Sequence, residues 1–301
     1  MQFLSEEKQT DMSFKVLGIG EILWDLLPAG RQLGGAPANF AYHAHALGAE
    51  ARVVSRVGND LSGCEILDRL RALGLPTDSI GMDTNAPTGT VSVELAGDGQ
   101  PRFIIHENVA WDRLVADETS LGFAAQADAV CFGSLAQRSE ESRQAIRELV
   151  AATPEAALRV FDVNLRQQFY SREIIESSLT VANALKLNDT ELPVLAAMFN
   201  LDGDMRAQLS ALAGRFQLRA TALTRGANGS LLLANGAWSE HPGLRVKVTD
   251  AVGAGDAFTA AWTLGLLARQ PLEEIGRRAN ELAAFVCTRP GATPVYAAPP
   301  S

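Results

Sequence analysis

Short apolar runs of strand length alternate with longer segments of helical periodicity along most of the chain, and the loops between them are short. Apolar strands are predicted at residues 14–20, 51–57, 129–133, 159–163, 184–187 and 221–224. Strands that are each followed by a helix pair in parallel, and their helices cover both faces of the sheet. The pattern therefore predicts an α/β fold with a mostly parallel central sheet.

One segment departs from this alternation. Residues 90–95 alternate like a half-exposed strand, residues 97–99 are typical of a hairpin turn, and residues 102–106 return as a second strand. A hairpin between strand–helix units is either a lid over a pocket or an edge ribbon, and the sequence leaves both interpretations open.

We expect one domain over residues 14–301, preceded by a disordered extension at residues 1–13. The extension is polar and lacks the basic and apolar parts of a signal peptide. No internal repeat, low-complexity segment or linker divides the rest of the chain.

The composition excludes several classes of protein. The 301 residues carry a formal net charge of −9, which disfavours nucleic acids and membrane surfaces as partners. Three isolated cysteines lack metal-ligand spacing, which favours reduced thiols and a cytoplasmic location. No G-x-x-x-x-G-K-[ST] motif occurs, so a P-loop nucleotide site is excluded. Phosphates would then be held by backbone amides, arginines and a metal ion. The glycine turn at residues 225–229 is either a place where a nucleotide lies against the backbone or a simple hairpin.

Residues 249–258 combine a glycine-rich turn with the start of an apolar helix. Gly253 and Gly255 permit a tight turn and a close approach to the backbone. A chain that turns here into a helix points unpaired N–H groups outward at the positive end of the helix dipole, which favours an anion. Asp256 would then stand as a base beside an anion site, as phosphoryl transfer to a hydroxyl group requires; the alternative is a helix-capping aspartate.

Polar side chains follow other predicted strands, at the edge where ligands bind in open parallel sheets. Residues 21–25 continue the first strand, which would end on Asp25, and Asn39 lies one turn into a helix that starts after Gly34 and Gly35. Asp25 and Asn39 together suit sugar hydroxyl groups, although a local turn or helix-start role explains each of them equally well.

Two further polar clusters lie in the middle of the chain. Asp162, Asn164 and Arg166 are spaced by two residues and would share one side of a strand end. Asn188 and Glu191 would face the same way on a first helical turn. There they would either order a hydrated Mg²⁺ ion or cap the helix.

The motifs also occur in a fixed order along the chain. They are Gly34-Gly35-Ala36-Pro37-Ala38-Asn39, Asp162-x-Asn164-x-Arg166, Asn188-x-x-Glu191, Thr224-x-Gly226-x-x-Gly229 and Asp250-Ala-Val-Gly-Ala-Gly-Asp256. With these motifs, residues 14–295 resemble the ribokinase-like (PfkB-type) carbohydrate kinases. The segments Gly-Glu-Ile-Leu-Trp-Asp, Gly-Gly-Ala-Pro-Ala-Asn and Asp-Val-Asn-Leu-Arg resemble those of the fructokinases.

The resemblance implies a ribokinase-like three-layer sandwich in which residues 25–34 and 88–108 form a small β lid. Such a lid often mediates dimerisation, so the resemblance also implies a candidate homodimer. It further implies an ATP-dependent kinase for a small sugar that uses Mg²⁺ and, as in many members, K⁺.

Individual roles also follow from the resemblance. Asp256 would be the catalytic base, and the backbone of Gly253, Ala254 and Gly255 would stabilise the migrating phosphoryl group. The sugar would be bound by Asp25, Gly34, Gly35, Asn39 and Arg166. The nucleotide would be bound by Asn188, Thr224, Gly226, Gly229 and Asn280. Metal ions would be held by Glu191 (Mg²⁺, through water) and by Asp250, Val252, Val286, Arg289 and Gly291 (K⁺, through loop carbonyl groups).

Several substrates stay open, with phosphorylation of fructose on a primary hydroxyl group favoured. Ala36 and Pro37 stand where ribokinases more often carry a lysine, which counts against ribose. 2-Keto-3-deoxygluconate would need a cation for its carboxylate, which Arg102 or Arg166 could supply. A sugar- or nucleotide-binding protein without catalysis is the alternative from another class, and loss of Asp256 would have favoured it.

Overall fold

Thirteen strands form two sheets within the residues that the computed structural model describes, which are 13–28, 30–95 and 101–296. The strands are β1 (Lys15–Ile19), β2 (Leu23–Leu27), β3 (Gly30–Gly34), β4 (Glu50–Gly58), β5 (Ile80–Asp83), β6 (Gly89–Leu95), β7 (Pro101–Ile105), β8 (Ala129–Gly133), β9 (Leu158–Asp162), β10 (Ala184–Asn188), β11 (Ala220–Thr224), β12 (Ser230–Ala234) and β13 (Ala237–His241). The predicted extension before residue 13 and the predicted turn at residues 97–99 lie outside the described residues.

The larger sheet has nine strands in the order β13-β12-β11-β10-β9-β8-β1-β4-β5. Neighbouring strands from β11 through to β5 pair in parallel, whereas the β11–β12 and β12–β13 pairs are antiparallel. Parallel pairing places the carboxyl ends of β1, β8, β9, β10 and β11 along one edge of the sheet. The predicted α/β fold with a mostly parallel sheet is confirmed.

Helices cover both faces of this sheet. They are α1 (Ala36–Ala46), α2 (Leu61–Ala72), α3 (Glu118–Ala124), α4 (Glu140–Ala152), α5 (Arg172–Val181), α6 (Leu192–Phe199), α7 (Met205–Phe216), α8 (Ala254–Leu267) and α9 (Leu272–Cys287). Phe132 and Phe161 belong to the core under α3–α7, whereas the preceding residues Cys131 and Val160 belong to the core under α1, α2, α8 and α9. This alternation is the two-residue period of a strand that is buried on both faces.

A second sheet of four strands has the order β3-β2-β6-β7. It unites the hairpin predicted at residues 90–106 with β2 and β3. The prediction that the first strand runs on through Asp25 was wrong, because β1 ends at Ile19 and β2 pairs with β6 in the smaller sheet. The chain changes sheets at Gly20, whose φ of 145° is accessible mainly to glycine.

The carboxyl edge of the larger sheet is where the starts of α1 and α8 meet, and Asn39 of α1 bonds Asp256 of α8 there. In the part of the chain that the structure describes, no helix is both long and apolar enough to cross a bilayer.

Candidate active site

The first turn of α8 provides a cradle of backbone N–H groups. Gly253 precedes the helix with a φ of 79°, a conformation that side chains other than glycine rarely adopt. The next residues, Ala254, Gly255 and Asp256, form the first helical turn, where N–H groups have no partner within the helix. Their dipoles point toward the carboxyl edge of the sheet and favour negative charge.

Asp256 is held beside this cradle by a residue far away in sequence. The side-chain nitrogen of Asn39 donates a hydrogen bond of 2.8 Å to Asp256 Oδ2. Asn39 is positioned by the start of α1, where Gly35 has a φ of 114° and lies so close to Glu21 that a Cβ atom would stand 2.4 Å from the Glu21 carbonyl oxygen. Asn39 Oδ1 is buried and has no hydrogen-bond partner. A ligand hydroxyl group would satisfy this acceptor.

A small pocket opens to solvent at this point. It is lined by Ala36, Pro37, Phe40, Cys131, Phe132, Gly133, Asp162, Asn164, Asp256 and Thr259. Most of these residues come from α1, α8 and the ends of β8 and β9. The pocket therefore lies where the sequence predicted a ligand site, at the carboxyl edge of parallel strands.

The acidic groups here have perturbed pKa values. Asp256 borders the pocket but is enclosed by protein on its other sides, so burial raises its pKa to about 6, and the charge of Asp162 adds to the rise. The hydrogen bond from Asn39 opposes this shift. A carboxylate with a pKa near 6 is ionised at neutral pH and is still a competent proton acceptor.

Two further carboxyl groups are close enough to interact with the same charges. Burial raises the pKa of Glu21 to about 7, and Arg166 and Asp256 act on it in opposite directions. Burial also raises the pKa of Asp25 to about 6, again against the charge of Arg166. Glu21 is 3% exposed, and its Oε2 atom has no hydrogen-bond partner. The sequence did not single out Glu21, because its burial depends on the neighbouring start of α1.

The Asp25 carboxylate lies directly beside Gly34 in the smaller sheet. A Cβ atom at Gly34 would stand 2.4 Å from Asp25 Oδ2, so only glycine leaves room for this carboxylate. Asp25 is half-buried and Arg166 is exposed, with one guanidinium nitrogen bonded to the Leu165 carbonyl oxygen. The charge of Arg166 lowers the pKa of Glu21, Asp25 and Asp256 alike, which places its guanidinium among the predicted sugar-binding groups.

A buried ion pair lies behind the cradle. Lys186 Nζ is 3.1 and 3.0 Å from the two carboxylate oxygens of Asp162, and Thr259 donates to the same carboxylate. Burial alone would lower the pKa of Lys186, but Asp162 and other acids more than offset this and keep the ammonium group charged. A Cβ atom at Gly255 would be 3.2 Å from Nζ. The sequence carried one signal for this group, a lone lysine inside an otherwise apolar strand.

The spacing of Asp162, Asn164 and Arg166 does not place them on one strand face, which corrects the prediction. β9 ends at Asp162, and Asn164 has a φ of 41°, so the backbone leaves the extended conformation. Asp162 forms an ion pair with Lys186. Asp162 and Asn164 both line the pocket, whereas Arg166 is exposed.

Asn188 and Glu191 form a local capping arrangement at the start of α6. Asn188 Oδ1 accepts from the backbone of Thr190 and Glu191, and Glu191 Oε2 accepts from the backbone of Asn188. Glu191 Oε1 accepts from the Leu165 backbone. No cluster of three or more His, Cys, Asp or Glu residues suited to a metal occurs among the described residues. An ion here would therefore be bound mainly through water.

The predicted nucleotide residues lie farther along the sheet edge. Thr224 ends β11, and the turn after it contains Gly226 and Gly229 with φ values of 55° and 79°. Gly229 packs against the backbone of His241, where a Cβ atom would stand 2.0 Å from the carbonyl oxygen. Asn280 is buried, and its side-chain nitrogen bonds Ser230 Oγ and the Gly276 carbonyl oxygen, so this amide ties α9 to β12.

The candidate K⁺ residues lie on the turn before α8, at the end of α9 and on the loop that follows α9. Asp250 accepts hydrogen bonds from the backbone N–H groups of Val252 and Gly291, each 3.0 Å long. The Arg289 backbone donates to the Val286 carbonyl oxygen at the end of α9. The Asp250 carboxylate therefore holds the segment that follows α9 against the turn that precedes α8.

Comparison with known proteins identifies the relatives of the chain. The model of the pfkB family carbohydrate kinases matches residues 29–298. A fructokinase from Klebsiella pneumoniae is 31% identical over 284 residues, which cover 90% of this chain and 91% of the relative. A fructokinase from Solanum tuberosum is 28% identical over 300 residues, covering 93% of this chain and 91% of the relative.

A crystal structure of a sugar kinase from Pyrococcus horikoshii, determined in complex with ATP, is also similar. It is 28% identical in sequence, has a TM-score of 0.78, and the match covers 92% of this chain and 94% of that chain.

Proposed function

Because the chain belongs to the pfkB family of carbohydrate kinases, we propose that it transfers the γ-phosphoryl group of ATP to a primary hydroxyl group of a small neutral sugar, with fructose as the first candidate. The observation that carries this proposal is the Asp256 carboxylate, which lies on the first turn of α8 beside N–H groups that have no partner within the helix and is bonded to Asn39. The fructokinase relatives support the choice of fructose.

Asp256 would accept the proton of the attacking hydroxyl group. The sugar oxygen then forms a bond to the γ-phosphorus, the bond from that phosphorus to the β–γ bridging oxygen breaks, and its electron pair leaves with ADP. The N–H groups of Ala254, Gly255 and Asp256 would stabilise the charge on the transferring group. The Lys186–Asp162 ion pair lies behind them, with the ammonium group next to Gly255.

The sugar would lie beside the pocket lined by α1, α8 and the ends of β8 and β9, on the side where the smaller sheet carries Asp25. Asp25 and Asn39 Oδ1 would provide acceptors for its hydroxyl groups. Gly34 leaves room for the Asp25 carboxylate, and Gly35 lets the start of α1 approach the Glu21 backbone. Arg166 would reach either the sugar or the transferred phosphate. The smaller sheet would act as the lid that excludes water, and a homodimer through this sheet remains part of the proposal.

ATP would lie along the sheet edge, against the turn that contains Gly226 and Gly229 and near Thr224, Asn188 and Asn280. Asn188 and Glu191 offer too few oxygen ligands to fill the coordination shell of Mg²⁺ directly. They therefore fit a hydrated Mg²⁺ ion whose bound water molecules Glu191 would order. When bound, Mg²⁺ neutralises phosphate charge. The loop carbonyl groups around Asp250 and Gly291 fit a K⁺ ion, which would stabilise the turn before α8.

The charges of the site favour a neutral sugar over an acidic one. Burial raises the pKa of Glu21, Asp25 and Asp256, because their surroundings disfavour negative charge. A substrate carboxylate would add a further negative charge beside these three groups. Arg166 would have to offset this charge, which makes 2-keto-3-deoxygluconate the second candidate. A binding protein without catalysis would not need a base with a pKa near 6 next to an amide cradle.

A substrate panel tests the proposal. Formation of ADP is measured with fructose, ribose, adenosine and 2-keto-3-deoxygluconate, each with ATP and Mg²⁺, and with and without K⁺. We expect fructose to give the largest kcat/KM. ADP formation only with 2-keto-3-deoxygluconate would overturn the choice of sugar, and no sugar-dependent ADP formation from any ketose, aldose or sugar acid would overturn the kinase proposal.

A further inference from the structure

His43 is fully buried in α1. Its two ring nitrogens each contact the segment that follows α9. Nε2 is 3.0 Å from the Ala292 carbonyl oxygen, and Nδ1 is 2.6 Å from the Tyr296 hydroxyl oxygen. A neutral imidazole with its proton on Nε2 satisfies both contacts, since it donates to Ala292 and accepts from Tyr296. Burial lowers the pKa of His43 to about 4, which agrees with a neutral ring.

The segment that His43 holds, residues 292–296, is fixed at further points. Tyr42 donates a 2.7 Å hydrogen bond to the Pro294 carbonyl oxygen. The Tyr296 ring stacks on Phe285 of α9, with centroids 5.3 Å apart. Ala292 itself is 3% exposed. Two consecutive residues of α1 therefore anchor this segment, and the His43 bond reaches the end nearest to the cradle.

Ala292 is in direct contact with the residue that begins the cradle. A Cβ atom placed on Gly253 would stand 2.6 Å from the Ala292 carbonyl oxygen and 2.7 Å from its Cα and Cβ atoms. The same carbonyl oxygen accepts the His43 hydrogen bond. The adjacent Gly291 is bonded to Asp250, on the turn that leads into Gly253. The cradle thus has Ala292 as its packing support, and His43 sets the position of Ala292.

We propose that His43 is a positioning residue for phosphoryl transfer: through Ala292 it fixes Gly253 and the N–H groups that follow it in the geometry the transferring phosphoryl group requires. The inference rests on the proposed function, because it assigns a role relative to the cradle. α1 would then align the reacting groups at two points. Asn39 would orient the base Asp256, and His43, one helical turn later, would position the N–H groups of the cradle through Ala292.

The proposal makes a specific demand on kinetics. A cradle displaced by a fraction of an ångström still admits ATP and sugar, but it binds the transition state less well. His43→Leu should therefore lower kcat by about 10- to 100-fold, with the KM values for ATP and sugar changed less than threefold. The affinity for ADP with aluminium fluoride and sugar, an analogue of the transition state, should fall in parallel with kcat.

Matched variants separate positioning from general stability. His43→Gln carries an N–H group at nearly the distance of Nε2 and should recover most of kcat. Tyr42→Phe removes the bond to Pro294, two residues beyond the Ala292 contact with Gly253, and should leave kcat within threefold. All variants are compared by thermal unfolding, and turnover is assayed at least 15 °C below the lowest midpoint.

The outcomes are distinct. A folded His43→Leu protein with wild-type kcat, or a Tyr42→Phe protein with an equal loss, would overturn the positioning role. Failure of His43→Gln to recover kcat would also contradict it, if that variant unfolds at the wild-type temperature. If His43→Leu does not fold, the Gln and Phe variants still decide the question. Full turnover by Asp256→Asn would instead refute the proposed function itself.

Discussion

The side-chain nitrogen of Asn39 lies 2.8 Å from Oδ2 of Asp256, across 217 residues of sequence. This hydrogen bond joins the first turns of α1 and α8, and each of these helices begins after a glycine with a positive φ. It lowers the pKa of Asp256 against the larger effect of burial. It also leaves Asn39 Oδ1 buried without a partner, next to the proposed base.

Replacing Asn39 by alanine should shift the pH dependence of turnover. The base must be ionised, so activity is lost as the pH falls through the pKa of Asp256, which is about 6 in the wild type. Without the Asn39 hydrogen bond this pKa rises, and the acidic limb of kcat/KM moves to higher pH. The measurement is a pH–rate profile from pH 5 to 8, with the exposed Asn59→Ala as control. An acidic limb that stays in place would contradict the account.

Alanine substitutions at the two cradle glycines should have different effects. Gly253→Ala places Cβ against Ala292 at a φ of 79°, so we expect a loss of at least about 1 kcal/mol in the free energy of unfolding. Gly255→Ala lies within the helix and meets only the flexible end of Lys186, 3.2 Å away. It should change stability by less than about 1 kcal/mol but lower kcat at least tenfold, because the ammonium group must move. Urea unfolding and kcat separate the two; equal stability losses would contradict the prediction.

Lys186→Met should strongly destabilise the protein. It leaves Asp162 buried without its counter-charge, and breaking one side of a buried ion pair costs about 3–5 kcal/mol. The double variant Lys186→Met/Asp162→Asn removes both charges and should recover more than half of that loss. Urea unfolding measures both, with the exposed Lys247→Met as control. A double variant that is no more stable than Lys186→Met would show that the ion pair is not the cause.

Glu21→Gln should stabilise the protein more at high pH than at low pH. The folded protein holds the Glu21 proton up to a pKa of about 7, against 4.5 for the free side chain. The stabilising effect of this raised pKa is present below about pH 4.5 and is lost as the pH rises through 7. The gain from the substitution should therefore be greater at pH 8 than at pH 5, by up to about 3 kcal/mol. The gain in the free energy of unfolding is measured by urea unfolding at both pH values, with the exposed Glu50→Gln as control. A gain that does not depend on pH would contradict the prediction.

The central sheet was predictable because strand and helix periodicities are local properties of the sequence. The pattern at residues 129–133 and 159–163 gave β8 and β9 to within a residue or two. The pattern could not show that Gly20 directs the chain into a second sheet, since residues 22–24 are as apolar as the strand before them. The predicted two-residue spacing was also wrong at Asn164, because the positive φ that ends the extended conformation there is not visible in the sequence pattern.

The site was predictable where a motif carries its own geometry, as the glycine turn before Asp256 does. It was not predictable where chemistry depends on which elements become neighbours. Glu21 carries no signal in the sequence and Lys186 only that of a lone lysine in an apolar strand. The packing of β9, α1 and α8 around them is what buries their charges beside Asp256. His43 is a similar case, because its partners follow α9, about 250 residues later.

The most direct test of the account is the turnover of Asp256→Asn with the best sugar of the panel, compared with the wild type at pH 7.5. Asparagine keeps the shape of the side chain but cannot take the proton. We predict that kcat falls by about 10²- to 10⁴-fold, while the affinity for ATP changes less than threefold. A variant that folds like the wild type and keeps kcat within threefold would contradict the role of Asp256 as the base.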